Sequence, residues 1–223
     1  MTVSDMLDVT GLARSTLYRQ IALLKRWGFV SENGGCYAPG PISLQLALGF
    51  DLNSLLVEAS RDEMQKLART TQESVGLLVA VNQQVVCLEM AESAHALRCS
   101  FEKGRAVTLK AGASAKSLLA FMPDKARDEA LAHAFAGQEA ACAAMRAELQ
   151  QIRERGYATS DSEVDQGVWG ISAPLFRRTG RTAVCCASIT LMAPSSRIAG
   201  REERLAMQTL RAAHAISERL KAG

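Results

Sequence analysis

The chain has 223 residues, of which 48% are hydrophobic and 22% charged, and its formal net charge is +3. These values are typical of globular domains and exclude a chain that is basic throughout, so a surface for nucleic acid would have to be local. No apolar run approaches the roughly 18–20 residues that span a bilayer, and the first residues lack the basic stretch and apolar core of a secretory signal.

Residues 1–38 begin with two short helical patterns. Met6, Leu7 and Val9 give the first helix its apolar side. Gly11 occupies a tight turn that needs a residue tolerant of positive φ, and Leu12 is expected to fill the angle between the helices. A helix-turn-helix arrangement is therefore predicted here, with only Thr2 before the motif.

The second helix is predicted from Ala13 to Trp27, with Leu17, Ile21 and Leu24 as its buried stripe. Its sequence contains four basic residues and no acidic one, which is the local charge that a major-groove helix needs against phosphates. The candidate DNA-contacting residues are Arg14, Ser15, Thr16, Tyr18, Arg19, Lys25 and Arg26.

A small hairpin follows the second helix. A strand begins at Phe29-Val30, Glu32-Asn33-Gly34-Gly35 is a turn, and Cys36-Tyr37-Ala38 forms the return strand. The two helices and this wing predict a winged helix-turn-helix that binds double-stranded DNA. The alternative is an amphipathic helix pair whose basic face is simply solvated.

Residues 39–50 are predicted to form a linker helix, opened by Pro39-Gly40-Pro41. Leu44, Ala47 and Leu48 recur at helical spacing, and together with Phe50 they are candidate interface residues between copies of the chain. One winged helix contacts a single half-site, so we expect a homodimer or a dimer of dimers on a pseudo-palindromic operator.

Residues 51–223 have a mixed pattern of helices and strands. Helices are expected over 52–70, 113–121, 125–135, 140–155 and at the C-terminus, and strands over 75–81, 85–90, 97–101, 170–176 and 183–192. Groups of strands interrupted by groups of helices predict an α+β domain with an antiparallel sheet. The inner face of the first helix is expected to include Leu55, Leu56, Ala59, Leu67 and Ala68.

The whole chain resembles the IclR (isocitrate lyase regulator) family of bacterial regulators. The resemblance is carried in the N-terminal region by Thr10-Gly11-Leu12-Ala13-Arg14-Ser15-Thr16, and in the long region by Arg155-Gly156-Tyr157-Ala158 and Pro194-Ser195-Ser196-Arg197. It implies a GAF/PAS-like effector domain over residues 51–223, oligomers, and control by small organic acids or aromatics. The family usually has another helix before the motif, so the first helix of the DNA-binding domain is expected to be missing here.

A small-molecule site is expected where Gly112 precedes a helix that begins at Ala113. The free N–H groups and partial positive charge of a helix N-terminus favour a carboxylate. The resemblance places effector-binding residues at Ala113, Ser114, Ser160, Asp161, Gly170, Thr190 and Met192. Glycine would enlarge the pocket, methionine would give it an adaptable apolar wall, and Trp169 would offer a face for a ring.

More ordinary roles stay open for several of these residues. Thr190 and Met192 would also suit the core of the sheet, and Asp161 would suit a turn or a helix cap. A protein-interaction or sensor module that no longer binds DNA is the alternative function.

Catalysis, a metal and a cofactor are not expected. His95, His133 and His214 lie in no recognisable catalytic motif, and Cys185-Cys186 are neighbours on a strand that should point to opposite faces. The six cysteines form no Cys-x-x-Cys pair, so we expect a cytoplasmic protein with reduced thiols.

Overall fold

The computed structural model describes residues 1–43, 46, 55–104, 106–180 and 182–222. The chain divides into two compact units, Met1–Ser54 and Leu55–Gly223. Leu44, Ala47, Leu48 and Phe50, which carry the predicted linker helix and its interface, lie outside the described residues.

The first unit contains helices α1 (Val3–Thr10) and α2 (Arg14–Arg26) and the antiparallel strands β1 (Val30–Asn33) and β2 (Cys36–Pro39). The two helices and the hairpin follow one another in this order along the chain. Thr2 and Asp5 form a reciprocal capping box at the start of α1, and Gly11 ends the helix with a φ of 62°.

Three apolar residues of this unit are more exposed than their spacing predicts. Leu17 and Ile21 are buried, but Val9 is 77% exposed and Leu12 and Leu24 are each 42% exposed. The predicted burial of Leu12 and Leu24 was wrong, because spacing marks an apolar stripe whereas burial needs a surface to cover it. Two short helices and a hairpin offer little such surface.

The base of the hairpin is closed by a backbone contact between two glycines. Gly40 N–H donates to Phe29 O at 2.8 Å, and Ile42 N–H donates to Gly28 O at 3.2 Å. A Cβ atom at Gly40 would lie 2.2 Å from Gly28 O. Only glycine therefore permits this close approach of the two chain segments.

The second unit is built on a six-stranded antiparallel sheet with the order β5-β4-β3-β8-β7-β6. Its strands are β3 (Ser74–Val81), β4 (Gln84–Ala91), β5 (Ala106–Thr108), β6 (Ala158–Asp161), β7 (Val168–Thr179) and β8 (Thr182–Pro194). The apolar run that forms β8 lies centrally in the sheet. Asn82 and Gln83 turn the β3–β4 hairpin with φ values of 47° and 62°.

Helices cover both faces of this sheet. They are α3 (Leu55–Thr71), α4 (Ala113–Phe121), α5 (Asp124–Ala134), α6 (Glu139–Arg155) and α7 (Glu202–Ala222). One core packs α3 and α7 against Leu77, and the other packs α4, α5 and α6 against the next residue, Leu78. The α+β class with an antiparallel sheet flanked by helices is confirmed.

Two strand predictions differ from the structure. Residues 97–101 are irregular rather than a strand, and the third strand of the meander is Ala106–Thr108, which pairs with β4. Ala158–Asp161 forms a strand that the sequence did not predict, because four residues with few apolar side chains carry little periodicity.

The predicted apolar stripe of α3 was wrong at one residue, Leu55, and missed two buried residues. Leu55 is 75% exposed, whereas Val57 and Met64 are among the most buried residues. Leu67 and Ala68 are buried as expected. The register of a helical stripe is decided by where the helix meets the sheet, and several apolar residues of α3 satisfy more than one register.

Candidate functional site

A cavity of about 420 Å³ lies in the second unit, at the N-terminus of α4 and the neighbouring ends of β6, β7 and β8. Two irregular segments, 97–101 and 164–167, complete its wall. Six of the seven predicted effector-binding residues line this one cavity: Ala113, Ser114, Ser160, Gly170, Thr190 and Met192.

The register of the sheet brings the strand residues of this set together. Gly170 pairs with Ser160 on one side and with Met192 on the other, so the three form a row across β6, β7 and β8. Thr190 lies two residues from Met192 and therefore faces the same side. A Cβ atom at Gly170 would lie 3.3 Å from Ser160 Oγ and 3.6 Å from Ala113 Cβ, so the glycine lets α4 begin close to the sheet.

Asp161 and Trp169 do not line the cavity. They pair with each other across β6 and β7, one residue along from the pair Ser160 and Gly170, so their side chains point to the other face of the sheet. Asp161 Oδ1 accepts hydrogen bonds from Ser195 Oγ at 2.6 Å and from Ser162 Oγ at 3.0 Å, which is a turn-stabilising role. Trp169 is buried in the core that α3 and α7 cover, so it offers no face to a ring in the cavity.

Hydroxyl groups form the polar floor of the cavity. Ser114 Oγ lies 3.0 Å from Thr190 Oγ1, and Thr190 Oγ1 donates to Ser172 Oγ at 2.9 Å. Ala113 N–H donates to Ser160 Oγ at 3.0 Å, so the hydroxyl of Ser160 satisfies the first amide of α4. A ligand would therefore meet a small set of oriented hydroxyls beneath a mostly apolar space.

A buried lysine on α4 holds one wall in place. Lys116 is 2% exposed, and its Nζ atom lies 2.6 Å from Glu163 Oε1 and 2.8 Å from Glu148 Oε1. Glu163 Oε2 also accepts a hydrogen bond from Gly112 N–H at 3.0 Å. The start of α4 thus already carries a carboxylate from the protein itself.

The opposite wall, segment 97–101, is held by a buried glutamate and an arginine. Arg197 Nη1 donates to Leu97 O at 2.9 Å, and its Nε atom donates to Glu73 Oε1 at 3.1 Å. Arg201 Nη1 donates to the same carboxylate oxygen at 3.1 Å. The hydrogen bonds to Glu73, whose side chain is 1% exposed, raise the pKa of Arg197.

Two further side chains of this segment have chemistry that bears on a ligand. Arg98 brings a guanidinium group to the cavity wall, and its Nε atom lies 2.8 Å from Glu92 Oε2. Burial raises the pKa of the Cys99 thiol, which disfavours the nucleophilic thiolate. Within the described parts of the chain, no group of three His, Cys, Asp or Glu side chains could hold a metal ion.

The predicted DNA-contacting residues lie on α2, away from its buried Leu17 and Ile21. Thr16 is half-buried, and the other six are exposed: Arg14, Ser15, Tyr18, Arg19, Lys25 and Arg26. Lys25 forms an ion pair with Glu32 of β1, and this hydrogen bond raises the pKa of Lys25 and lowers that of Glu32. The Arg26 guanidinium lies 6.0 Å from the centre of the Trp27 ring.

Comparison with known proteins assigns the family. The family model described as bacterial transcriptional regulator IclR C-terminal matches residues 52–218, which include the whole cavity wall. The chain belongs to the IclR family. It is a transcriptional regulator, as the sequence resemblance implied. Among the helices that the structure describes, none is long and apolar enough to cross a membrane.

Relatives of this IclR-family regulator agree over most of its length. It is 27% identical to the probable HTH-type transcriptional regulator ArcR of Halobacterium salinarum, covering 91% of this chain and 79% of the relative. It is 28% identical to the HTH-type transcriptional regulator KdgR of Escherichia coli, covering 91% of this chain and 78% of the relative.

Solved structures extend this agreement to the fold. A putative IclR regulator from Silicibacter sp. TM1040 superposes with a TM-score of 0.83 at 28% identity, covering 99% of this chain and 89% of the other. The C-terminal domain of a putative regulator from Vibrio cholerae is 35% identical, with a TM-score of 0.65, and covers 74% of this chain and 99% of the other.

Sequence reasoning missed the charged residues that hold the two walls of this regulator's cavity. Lys116 stands out as a cation in an apolar helix, which is a signal of a buried partner, but nothing in the sequence names Glu163. Arg197 belongs to the Pro-Ser-Ser-Arg motif that carried the family resemblance, and its partner Glu73 lies 124 residues away.

Proposed function

We propose that this IclR-family regulator binds a pseudo-palindromic site on double-stranded DNA through a winged helix-turn-helix in residues 1–38. We further propose that a small organic acid, bound in the cavity of residues 51–223, controls this binding. The main support is that six of the residues indicated by the family resemblance line one cavity of about 420 Å³. That size suits a ligand of the small-molecule class.

The DNA-binding part of the proposal depends on the exposed side of α2. Among the described residues, neither Arg14 nor Arg19 has an ion-pair partner, whereas Lys25 is paired with Glu32. Arg14 and Arg19 are therefore the strongest candidates to contact base edges or phosphates, with Ser15, Thr16 and Tyr18 beside them.

The effector would be an acid with an apolar, aromatic-sized body. Leu97, Phe101, Val107, Val164 and Met192 supply apolar wall. The carboxylate would bind at the first turn of α4, near Ala113 and Ser114, where the helix dipole favours an anion. Such a protein would act in the cytoplasm as a homodimer or a dimer of dimers.

A gel-shift and footprinting experiment with the DNA that flanks the protein's own gene tests this function. Each base-contacting arginine should contribute about 1–3 kcal/mol, so Arg14→Ala/Arg19→Ala should abolish the footprint. Arg204→Ala/Arg211→Ala removes the same charge from α7 and serves as the matched control. A normal footprint from the Arg14→Ala/Arg19→Ala protein would exclude α2 as the DNA-contacting helix.

The same gel shift, repeated with a panel of carboxylic and aromatic acids, tests the control by an effector. A ligand changes DNA affinity only through its different affinities for the two states of the protein. At least one acid that binds in the cavity should therefore change the affinity of the protein for its operator DNA. If acids bind in the cavity but none changes the affinity for DNA, the proposal that an effector controls DNA binding is contradicted.

A further inference from the structure

The start of α4 is occupied in this structure by a carboxylate that the protein itself supplies. The two oxygens of Glu163 are bonded to different donors, Oε2 to Gly112 N–H at 3.0 Å and Oε1 to Lys116 Nζ at 2.6 Å. A carboxylate between a helix N-terminus and a buried ammonium group is the arrangement that an acidic ligand would otherwise adopt there.

We propose that Glu163 is a specificity-determining residue of the effector pocket, an internal competitor that the carboxylate of an acidic ligand must displace from the start of α4. This inference rests on the proposed function, because it concerns the ligand of the same cavity. Glu163 is not among the predicted effector-binding residues, and only ligands that carry a negative charge would displace its side chain. Acids compete with Glu163, and neutral ligands of the same shape do not.

The charges around Lys116 support competition rather than simultaneous binding. Lys116 is nearly fully buried and already lies within 2.8 Å of carboxylate oxygens from both Glu148 and Glu163. A third carboxylate at the same turn would add repulsion without a further cation, and such like-charge contact is costly in a partly desolvated site. Departure of Glu163 would leave Lys116 paired with Glu148 and would free the N–H group of Gly112, which lines the cavity, for the ligand's carboxylate.

The loop that carries Glu163 is closed at its base and forms cavity wall at its tip. Its base is closed by Ser162 N–H, which donates to Val168 O at 2.9 Å, and by Gly167 N–H, which donates to Ser162 Oγ at 3.0 Å. The tip residues 164–167 form cavity wall. Among the described residues, Glu163, next to this tip, supplies the ion pair that joins the loop to α4.

Close packing links the position of this tip to the start of α4. Gly112 has a φ of 90°, and a Cβ atom there would lie 2.8 Å from Val164 Cγ2. The loop tip therefore rests directly on the residue whose N–H binds Glu163. Displacement of Glu163 by an acid would release this contact and rearrange the wall formed by residues 164–167, whereas a neutral ligand would leave it unchanged.

The experiment compares Glu163→Gln with Asp165→Asn in the full-length chain. Both substitutions remove one negative charge from the same loop. Asp165 lines the cavity itself, whereas Glu163 is bonded to Gly112, which lines it, and to Lys116 of α4. The probes are benzoate with its neutral isostere benzamide, and acetate with acetamide as a smaller pair. Calorimetry measures their Kd values, and hydrogen exchange of the ligand-free proteins measures the attachment of the loop.

Glu163→Gln should tighten benzoate binding by roughly tenfold or more, with little change for benzamide, while Asp165→Asn should have a clearly smaller effect. Without ligand, the amides of Gly112 and of residues 162–167 should exchange faster in Glu163→Gln than in Asp165→Asn. Benzoate should accelerate exchange of this loop in the parent protein, and benzamide should not.

Equal benzoate affinity in the two variants would overturn the role of Glu163, and so would the absence of binding by either acid to Glu163→Gln. Failure of the proposed function has a different signature. If benzoate binds but Gly170→Leu, which projects into the cavity, does not weaken it, the acid binds elsewhere and the pocket assignment fails. Loss of binding in Gly170→Leu together with no gain in Glu163→Gln retains the pocket and rejects the competitor.

Discussion

At the scale of single residues, the cavity depends on the absence of a side chain at position 170. Gly170 lies in the cross-strand row between Ser160 and Met192, directly below the first residue of α4. Ser160 Oγ accepts a hydrogen bond from the N–H of Ala113, the first residue of α4. A side chain at position 170 would therefore press on the hydroxyl that caps this helix. A small change here alters both the space for a ligand and the hydrogen bond at the helix start.

Gly170→Leu is expected to abolish binding of an acid that occupies the cavity, because the leucine fills the space proposed for the ligand body. Gly170→Ala is the matched control, since its Cβ would lie 3.3 Å from a serine hydroxyl that can shift, so binding should weaken only moderately. Titration calorimetry with the best acid from a screen measures both. A folded Gly170→Leu protein with parental affinity would place the ligand elsewhere.

At the scale of elements, two irregular segments form the cavity walls, and buried ion pairs hold each of them. Segment 97–101 is attached through Arg197 to Glu73, at the point where α3 gives way to β3, and Arg201 joins the same carboxylate. Arg201 Nη2 also donates to Thr71 O at 2.8 Å, at the last residue of α3. This cluster therefore connects the cavity wall with the junction between α3 and β3.

Glu73→Gln is expected to destabilise the second unit by about 2 kcal/mol or more, because two arginines lose their shared anionic partner in a largely buried site. At roughly 2–4 °C per kcal/mol for a chain of this size, the midpoint of thermal unfolding should fall by several degrees. Glu92→Gln removes an exposed partner of Arg98 and should barely change it. Equal midpoints for the two variants would show that the Glu73 cluster contributes no net stability.

At the scale of the whole molecule, we expect function to require more than one copy of the chain. The first unit presents one exposed basic helix, and one such helix contacts a single half-site. Affinity and specificity for a full operator come from two such units held at a fixed spacing of helical turns. We therefore expect the regulator to assemble before it binds DNA.

Light scattering at micromolar concentration should give the mass of a homodimer or a dimer of dimers. Leu44→Glu/Leu48→Glu, on the predicted linker helix, should lower that mass if these residues form the interface. An exposed apolar residue of α7, Met207, offers the matched control Met207→Glu. A monomeric mass for the unsubstituted chain would contradict the assembly.

Periodicity along the chain was sufficient for most elements. It predicted α4 at residues 113–121 and the strands that became β3, β4 and β8. Gly156 ends α6 with a φ of 83°, as a glycine at that position should. These features depend on neighbours within a few residues, whose spacing and backbone preferences are written in the sequence itself. The family resemblance added the six residues that meet at the cavity.

The cavity walls and the charges that hold them were decided by the tertiary structure. Lys116 and Glu163 are 47 residues apart, and Arg197 and Glu73 are 124 apart, so no local pattern pairs them. Residues 97–101 have a strand-like composition, but they form an irregular cavity wall that Arg197 attaches to the core through Leu97 O. Partner choice and burial depend on which distant elements meet, and that information is absent from local periodicity.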